Sequence, residues 1–338
     1  MEKEKPLVSI ITPCYNGENF VHRYFESILK QTYNNVEIIF INDGSTDRTE
    51  KIALSYKKQI EEKGYSFHYI YQENAGQASA VNKGLKIFKG EYLTWPDSDD
   101  WMSDDCIEKK VEYLEKNPEK GFVLCKTAVI NEDDLNTIKG YMYRKNIQNG
   151  NIFEDLLFQK DIYFAPGGYM VRSKMFLDVL PTRHIYEGRG GQNWQMLLPI
   201  AYRYECGYLA NVLYYYLERF NSHSHNVQSY EKMLNALQNY ERVKIQSFIH
   251  IEMNENKKRN YIRRIKIDYA QKRFCLALEH LDKKTLKKEY KMLKQENALD
   301  KKSKQAYLQQ NHKILFYLQH PKQLIQDLRE KLKKRNNK

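Results

Sequence analysis

A short apolar run that breaks off in acids, Glu91-Tyr-Leu-Thr-Trp-Pro-Asp-Ser-Asp-Asp-Trp101, constrains this chain more than any other feature. Such a run reads as a strand buried in a sheet, so Asp97, Asp99 and Asp100 stand at its carboxyl end. Ligands of open α/β sheets bind at that edge. Acids this close repel one another unless a cation lies among them. Carboxylates favour magnesium or manganese, and those ions favour phosphate oxygens. The segment therefore reads as a site for a metal-bound diphosphate. An EF-hand loop is excluded: Asp97, Asp99 and Glu108 fit its first, third and twelfth positions, but Trp101 and Met102 stand where an oxygen ligand and a glycine belong.

The residues before and after this run alternate between two periodicities. Leu7–Thr12, Val36–Asn42, Ser66–Gln72, Glu91–Trp95 and Gly121–Cys125 read as strands. Between them, Phe20, Tyr24 and Ile28, then Ile52, Tyr56 and Ile60, recur on one helix face. Gly76 to Phe88 and Cys106 to Leu114 read as further helices. Repeated strand–helix units predict a largely parallel sheet covered on both faces. Past residue 127 the pattern loosens into a glycine-bent strand at 164–171, a helix at 194–202 and a strand at 208–217. From about 227 almost everything reads as helix.

Charge divides the chain at the same place. Residues 231–338 hold 28 Lys and Arg against 12 Asp and Glu, a net of +16, so the whole-chain +12 leaves −4 for residues 1–230. Two regions follow: residues 1–226, with a donor half to about 127 and an acceptor half from 128, and a basic helical region at 227–338. No apolar stretch approaches the ~18–20 residues that cross a bilayer, and the start lacks a signal-peptide pattern. A cytoplasmic protein is expected. The five cysteines have no paired spacing, which argues against a disulfide framework and a zinc site. The basic region suits a solvated helical face or contact with anionic headgroups, where each Lys or Arg adds about 1 kcal/mol. No nucleic-acid motif accompanies the charge.

Three strand ends carry chemistry: Thr12-Pro-Cys-Tyr-Asn-Gly17, Asn42-Asp-Gly-Ser-Thr-Asp47 and Asp97-Ser-Asp-Asp100. Adjacent parallel strands would bring them to one crevice. Tyr15 offers a face for a stacked base. Asp43 offers an acceptor for a pyrimidine imide, Asp99 a metal ligand, and Asp97 a second ligand or a partner for ribose. Together these suit a uridine diphosphate carrier.

These three segments and Glu73-Asn-Ala-Gly-Gln-Ala-Ser-Ala-Val-Asn-Lys-Gly84 resemble the four blocks of family 2 glycosyltransferases, in the family's order, over roughly the first 130 residues. The resemblance implies a GT-A fold, a nucleotide-sugar donor, a divalent cation (Mn2+ or Mg2+) on an Asp-x-Asp motif, and inversion at the anomeric carbon. It assigns Pro13, Tyr15, Asp43, Asn74, Gly76, Lys83, Asp97 and Ser98 to the nucleotide-sugar, and Asp99 with Asp97 to the metal. It also offers Arg219 for phosphate oxygens and His223 or His225 as late metal ligands. The expected donor is a UDP-hexose or UDP-N-acetylhexosamine. The expected acceptor is a lipid-linked oligosaccharide of bacterial surface polysaccharide synthesis, reached at the inner face of the membrane.

An inverting displacement needs a general base for the acceptor hydroxyl. Many relatives supply it from a Glu-Asp pair before a Trp-containing helix, where this chain reads Gly190-Gly-Gln-Asn-Trp194. Gln192 and Asn193 are not bases, so Glu187 and Asp100 are the candidates. The same departure leaves open a non-catalytic sugar-nucleotide-binding scaffold of a polysaccharide assembly complex.

Overall fold

The computed structural model describes residues 4–145, 150–162, 165–188, 190–219 and 229–311. The chain divides into two compact units, Met1–Val227 with Arg242–Asn254, and Gln228–Glu241 with Glu255–Lys338.

The first unit is built on a mixed sheet. Its strands are β1 (Val8–Cys14), β2 (Val36–Asp43), β3 (Ser66–Gln72), β4 (Tyr92–Thr94), β5 (Trp101–Met102), β6 (Lys120–Asn131), β7 (Asp134–Met142), β8 (Tyr169–Arg172) and β9 (Glu205–Glu218). They lie in the order β3-β2-β1-β4-β8-β6-β9-β5, with β7 paired to β6. The predicted parallel set is present: β1 pairs parallel with both β2 and β4, and β2 pairs parallel with β3. Every residue of β1 and β2 is buried, as strands covered on both faces require. β3 alternates between exposed and half-buried residues because it lies at the sheet edge.

The second half of the sheet departs from the expected pattern. β8 runs antiparallel between β4 and β6, and β6 pairs parallel with β9. Two strands had no signal in the sequence. β5 is only two residues long, and β7 is exposed over most of its length, so neither shows an apolar run. β5 matters beyond its length. It pairs with β9 at Trp101↔Tyr215, where the two rings stack at 5.4 Å and 6°. The acidic segment is thereby held at both ends, by β4 before it and by β5 after it.

The helices flank this frame. Val21–Leu29 turns Val21, Tyr24, Phe25 and Ile28 into the core, as the four-residue spacing predicts. Gln77–Ile87 packs so closely on the sheet that a Cβ at Gly84 would meet Ile11 at 2.5 Å.

The second unit is helical: part of Tyr230–Ser247, then Glu255–Glu279, Lys283–Gln295 and Lys301–Asn311. Ala270, Phe274, Ala277, Leu286, Leu293 and Tyr307 form its apolar core. Inside it, the buried guanidinium of Arg273 is matched by Glu289 at 3.0 Å and by Glu241. Asp282 caps Lys283–Gln295 by accepting from the N–H groups of Lys284 and Thr285, and the Tyr230 hydroxyl donates to its other oxygen at 2.6 Å.

Hydrogen bonds from Thr285 and Tyr230 hold the Asp282 carboxyl down at about 2. A depressed carboxylate contributes stability that is full above its unfolded pKa, about 4, and is lost as pH falls through about 2. Asp282→Ala should therefore destabilise the helical unit by about 1 kcal/mol at pH 7. The gap between variant and wild type should close between pH about 4 and about 2. Urea titrations followed by circular dichroism at both pH values check this; an equal gap throughout would refute the cap's role.

Candidate functional site

The site begins at the carboxyl ends of β2, β1 and β4, three strands that lie side by side. β1 delivers Cys14 and Tyr15. Tyr15 is 51% exposed, with its ring at the rim rather than in the core. Pro13 is buried within β1 opposite Ile41, so it shapes the strand end. The Cys14 thiol lies beside Ser98 of the acidic segment. Burial pushes that thiol up to about 12 and keeps it protonated.

β2 delivers Asp43, which is buried and accepts three hydrogen bonds: from Gln72 Nε2 at 2.7 Å, the Ala75 N–H at 2.9 Å and the Gly76 N–H at 3.0 Å. Its carboxylate therefore holds the Asn74–Gly76 turn against β2. Gly44, at φ +73, completes this contact: a Cβ there would meet the Asn74 nitrogen at 2.5 Å. Asn74 is exposed at the rim, and Gly76 opens the helix Gln77–Ile87 with φ +92. Lys83 is exposed on that helix between the buried Asn82 and Gly84. Among the described residues, no hydrogen bond or ion pair joins Lys83 to the acids.

β4 delivers the acids. Carboxylate oxygens of Asp97, Asp99 and Asp100 lie within 4.8 Å of one another. Asp97 accepts from Gln77 Nε2 at 2.7 Å. Asp99 is paired with Arg219 at 2.8 Å. Asp100 is fully buried, and its two oxygens accept from the Tyr214 hydroxyl and the Leu217 N–H, each at 2.8 Å. Burial, then the neighbouring Asp99, pushes the Asp97 carboxyl up to about 7. Burial raises Asp99 as well, with Arg219 opposing. Asp100 is raised further by burial and by both neighbours. Asp97 and Asp99, crowded by the buried Asp100 so that the three resist ionising together, are an oxygen donor set that a hard divalent cation stabilises. The residues fit the expected metal.

Asp100 was also a candidate base; it is fully buried with both oxygens engaged. An enclosed carboxylate whose two oxygens are already engaged has no face for a substrate hydroxyl. Asp100 instead ties the acidic segment to β9. Tyr214 completes this support. It is fully buried, its oxygen accepts from the Asp97 N–H at 3.3 Å, and its ring packs where a Cβ on Gly167 would stand, 2.1 Å away. Sequence reasoning missed Tyr214 because a tyrosine in a strand carries no local sign of a distant partner.

The replaced acidic pair also has a visible place. Asn193, in the first turn of the helix Gln192–Arg203, accepts from Trp95 Nε1 at 2.9 Å, beside the end of β4. Glu187 is half-exposed and accepts from Asn82 Nδ2 at 3.1 Å, with His184 at 3.7 Å. Two side-chain amides fix the loop before it. Asn82 brackets both backbone groups of Ile185, and Gln195 both of Tyr186, at 2.8–2.9 Å. Asn82 and Gln195 were not anticipated, although both are polar residues on otherwise apolar helix faces.

Two cations face the acids. Arg219 follows β9 and lies over the Phe20 ring at 4.5 Å. Arg23, also unanticipated, lies over Trp101 at 4.9 Å within electrostatic reach of Asp99 and Asp100. His223 and His225 lie outside the described residues.

Comparison with known proteins agrees with this geometry. The model of the family described as "Glycosyl transferase family 2" matches residues 9–180. An uncharacterized glycosyltransferase of Rickettsia typhi is 46% identical over 119 residues, 35% of this chain and 35% of that protein. Glycosyltransferase GlyA of Streptococcus pneumoniae serotype 4 is 37% identical over 162 residues, 44% of this chain and 21% of that protein. The chain thus spans about a third or less of the length of these relatives. Among solved structures, S. aureus TarS 1-349 in complex with UDP-GlcNAc superposes with a TM-score of 0.58 at 18% identity, covering 78% of this chain and 72% of that one. The mannosyltransferase PcManGT from Pyrobaculum calidifontis, in complex with GDP-Man and Mn2+, gives 0.53 at 16% identity, covering 94% and 87%. Identities this low speak to the fold alone, and the fold is GT-A: a mixed α/β sheet with a helical C-terminal region. With the family's model matched across half of its length, the chain belongs to glycosyl transferase family 2.

Proposed function

We propose that the protein transfers a hexose or N-acetylhexosamine from a UDP-sugar, with inversion, to an oligosaccharide acceptor carried on a membrane lipid in surface polysaccharide synthesis. One observation carries this reading: three carboxylates within 4.8 Å at the meeting of three parallel strand ends, with an exposed aromatic ring on the same rim. The known neighbours with this fold include one solved with UDP-GlcNAc and one with GDP-Man and Mn2+.

Tyr15 stacks on the base, and the Asp43-anchored turn at Asn74–Gly76 lines the nucleoside side of the crevice. Asp97 and Asp99 hold the cation, Mn2+ or Mg2+, while Asp100 and Tyr214 keep the acidic segment in place. When bound, the cation offsets charge on the departing diphosphate. Arg219 and Arg23 add positive field at the same place. The acceptor hydroxyl attacks the anomeric carbon from the face opposite the diphosphate. As that bond forms, the carbon–oxygen bond to the diphosphate breaks and Glu187 takes the hydroxyl proton. Asn82 and Gln195 hold the Glu187 loop for that step. The basic helical region, net +16 over residues 231–338, supplies attraction to anionic lipid on the cytoplasmic face.

A second reading keeps a specific support. Asn193 stands where relatives carry an acid and is engaged with Trp95, which suits a protein that binds a sugar nucleotide without turning it over.

Asp99→Ala should lower kcat/KM for UDP-sugar transfer or hydrolysis about a thousandfold, equivalent to ~4 kcal/mol. The melting temperature should not fall, since one of three repelling acids is removed. Unchanged turnover in a folded variant would sink the site. Glu187→Gln should reduce kcat by about 10²–10⁴ while leaving UDP affinity intact, which separates the base from the donor pocket. UDP binding by calorimetry with no turnover in the wild type would favour the scaffold, and tighter binding of GDP than of UDP would reassign the donor. Flotation with vesicles of phosphatidylglycerol and phosphatidylcholine tests the lipid contact. Binding should require the anionic lipid and fall steeply between about 50 and 300 mM salt as charges are screened; salt-independent or absent flotation argues for a soluble acceptor.

A further inference from the structure

Arg219 does not stand free to receive phosphate. Its Nη2 is 2.8 Å from Asp99 Oδ2, on the carboxylate assigned to the cation. Its guanidinium lies over Phe20, 4.5 Å from the ring centroid, and its Nε is buried with no hydrogen-bond acceptor among the described residues. The guanidinium therefore has two unequal claims on it: a carboxylate it already holds, and an acceptor that one of its nitrogens lacks. Asp99, in turn, has one set of oxygens for either a guanidinium or a metal. A bidentate-capable planar cation suits phosphate oxygens at least as well as a carboxylate.

Resting on the nucleotide-sugar reading above, we propose that Arg219 is the residue that makes this site select a cation–nucleoside diphosphate complex over either component alone. Without ligand, Arg219 neutralises Asp99 and competes with free metal. With a cation and a diphosphate both bound, Asp99 would hold the cation and the Arg219 guanidinium would be released to the diphosphate, an acceptor for its Nε. Neither half of the exchange is favourable alone. Metal alone displaces a guanidinium that has nowhere to bind. Diphosphate alone draws the guanidinium away and leaves Asp99 crowded against Asp97 and Asp100 without its paired counter-ion. The backbone around Arg219 makes the exchange local. Leu217 is fixed to Asp100, and Glu218 lies opposite Asn131 in the sheet, so Arg219 is the first residue beyond the fixed strand.

The test measures binding, with Mn2+ alone, UDP alone and both together, by electron paramagnetic resonance of free Mn2+ and by calorimetry. In the wild type, Mn2+ and UDP should each tighten the other by a factor of at least ten, within the 5–150-fold range of coupled sites. Arg219→Gln should bind Mn2+ alone about tenfold more tightly than the wild type. Its mutual tightening should fall severalfold, leaving what direct metal–diphosphate contact contributes. Arg203→Gln serves as the control, because Arg203 is paired with Asp178 and takes no part in the acid cluster. It should leave Mn2+ affinity within about twofold. Equal gains in both variants would mean that only the general field matters, and would overturn the proposal. So would an Arg219→Gln protein that binds Mn2+ alone no better than the wild type. A wild type that binds neither Mn2+ nor UDP would instead overturn the function on which the proposal rests. Circular dichroism spectra of the variants confirm that each is folded.

Discussion

Repulsion among three carboxylates governs this structure's functional end. Asp97, Asp99 and Asp100 sit within 4.8 Å of one another, where burial and mutual charge both oppose ionisation. A chain spends stability on such a cluster only by surrounding it with counter-charges and donors, and the surroundings here are specific. Asp100 is enclosed by Tyr214 and the Leu217 N–H, Asp97 is held by Gln77, and Asp99 meets Arg219. The partners come from the helix Gln77–Ile87 and from β9 with the residue just after it, so the cluster ties β4, β9 and that helix together at one point.

That tie explains features with no evident purpose by themselves. β5 has two residues, yet it pins the acidic segment to β9 and so carries Arg219 to the acids. Gly167 has no side chain because the Tyr214 ring occupies that space, and the ring's hydroxyl supports Asp100. A second set of contacts works at a distance from the acids. Asn82 and Gln195 each bracket one residue of the loop that ends in Glu187, so helices from the two halves of the sheet unit position one carboxylate. Packing and polar satisfaction thus converge on the same two places, the acid cluster and the Glu187 loop.

Much of the donor side was legible in the residues. The runs Val8–Cys14 and Val36–Asp43 are rich in apolar residues and buried throughout because both faces of those strands are covered. The acids and turn residues follow them at once because the carboxyl edge of a parallel sheet is where polar ligands enter. The acceptor side was less legible. β8 enters the sheet antiparallel, β7 is solvent-exposed, and β5 is shorter than any periodicity can register. The surroundings of Asp100 were illegible for a related reason. Three acids in four residues look alike in a sequence, and only burial distinguishes the one that supports from the two that face the crevice.

The sequence alone determined the order of strands and helices through the first 130 residues apart from β5, the acidic cluster, the division into an acidic and a basic region, and the family resemblance. These are local properties: periodicity, turn chemistry and charge are written in neighbouring residues. The tertiary structure alone decided that Arg219 lies on Asp99, that Tyr214 encloses Asp100, and that Asn82 and Gln195 hold the loop of Glu187. Those pairings join residues about 100 positions apart, except Gln195 and Tyr186, which a turn brings together. They exist because the segment from β4 to β5 is carried to β9 and because two helices reach the Glu187 loop, and no local pattern records which distant side chain will fill a polar group's missing partner.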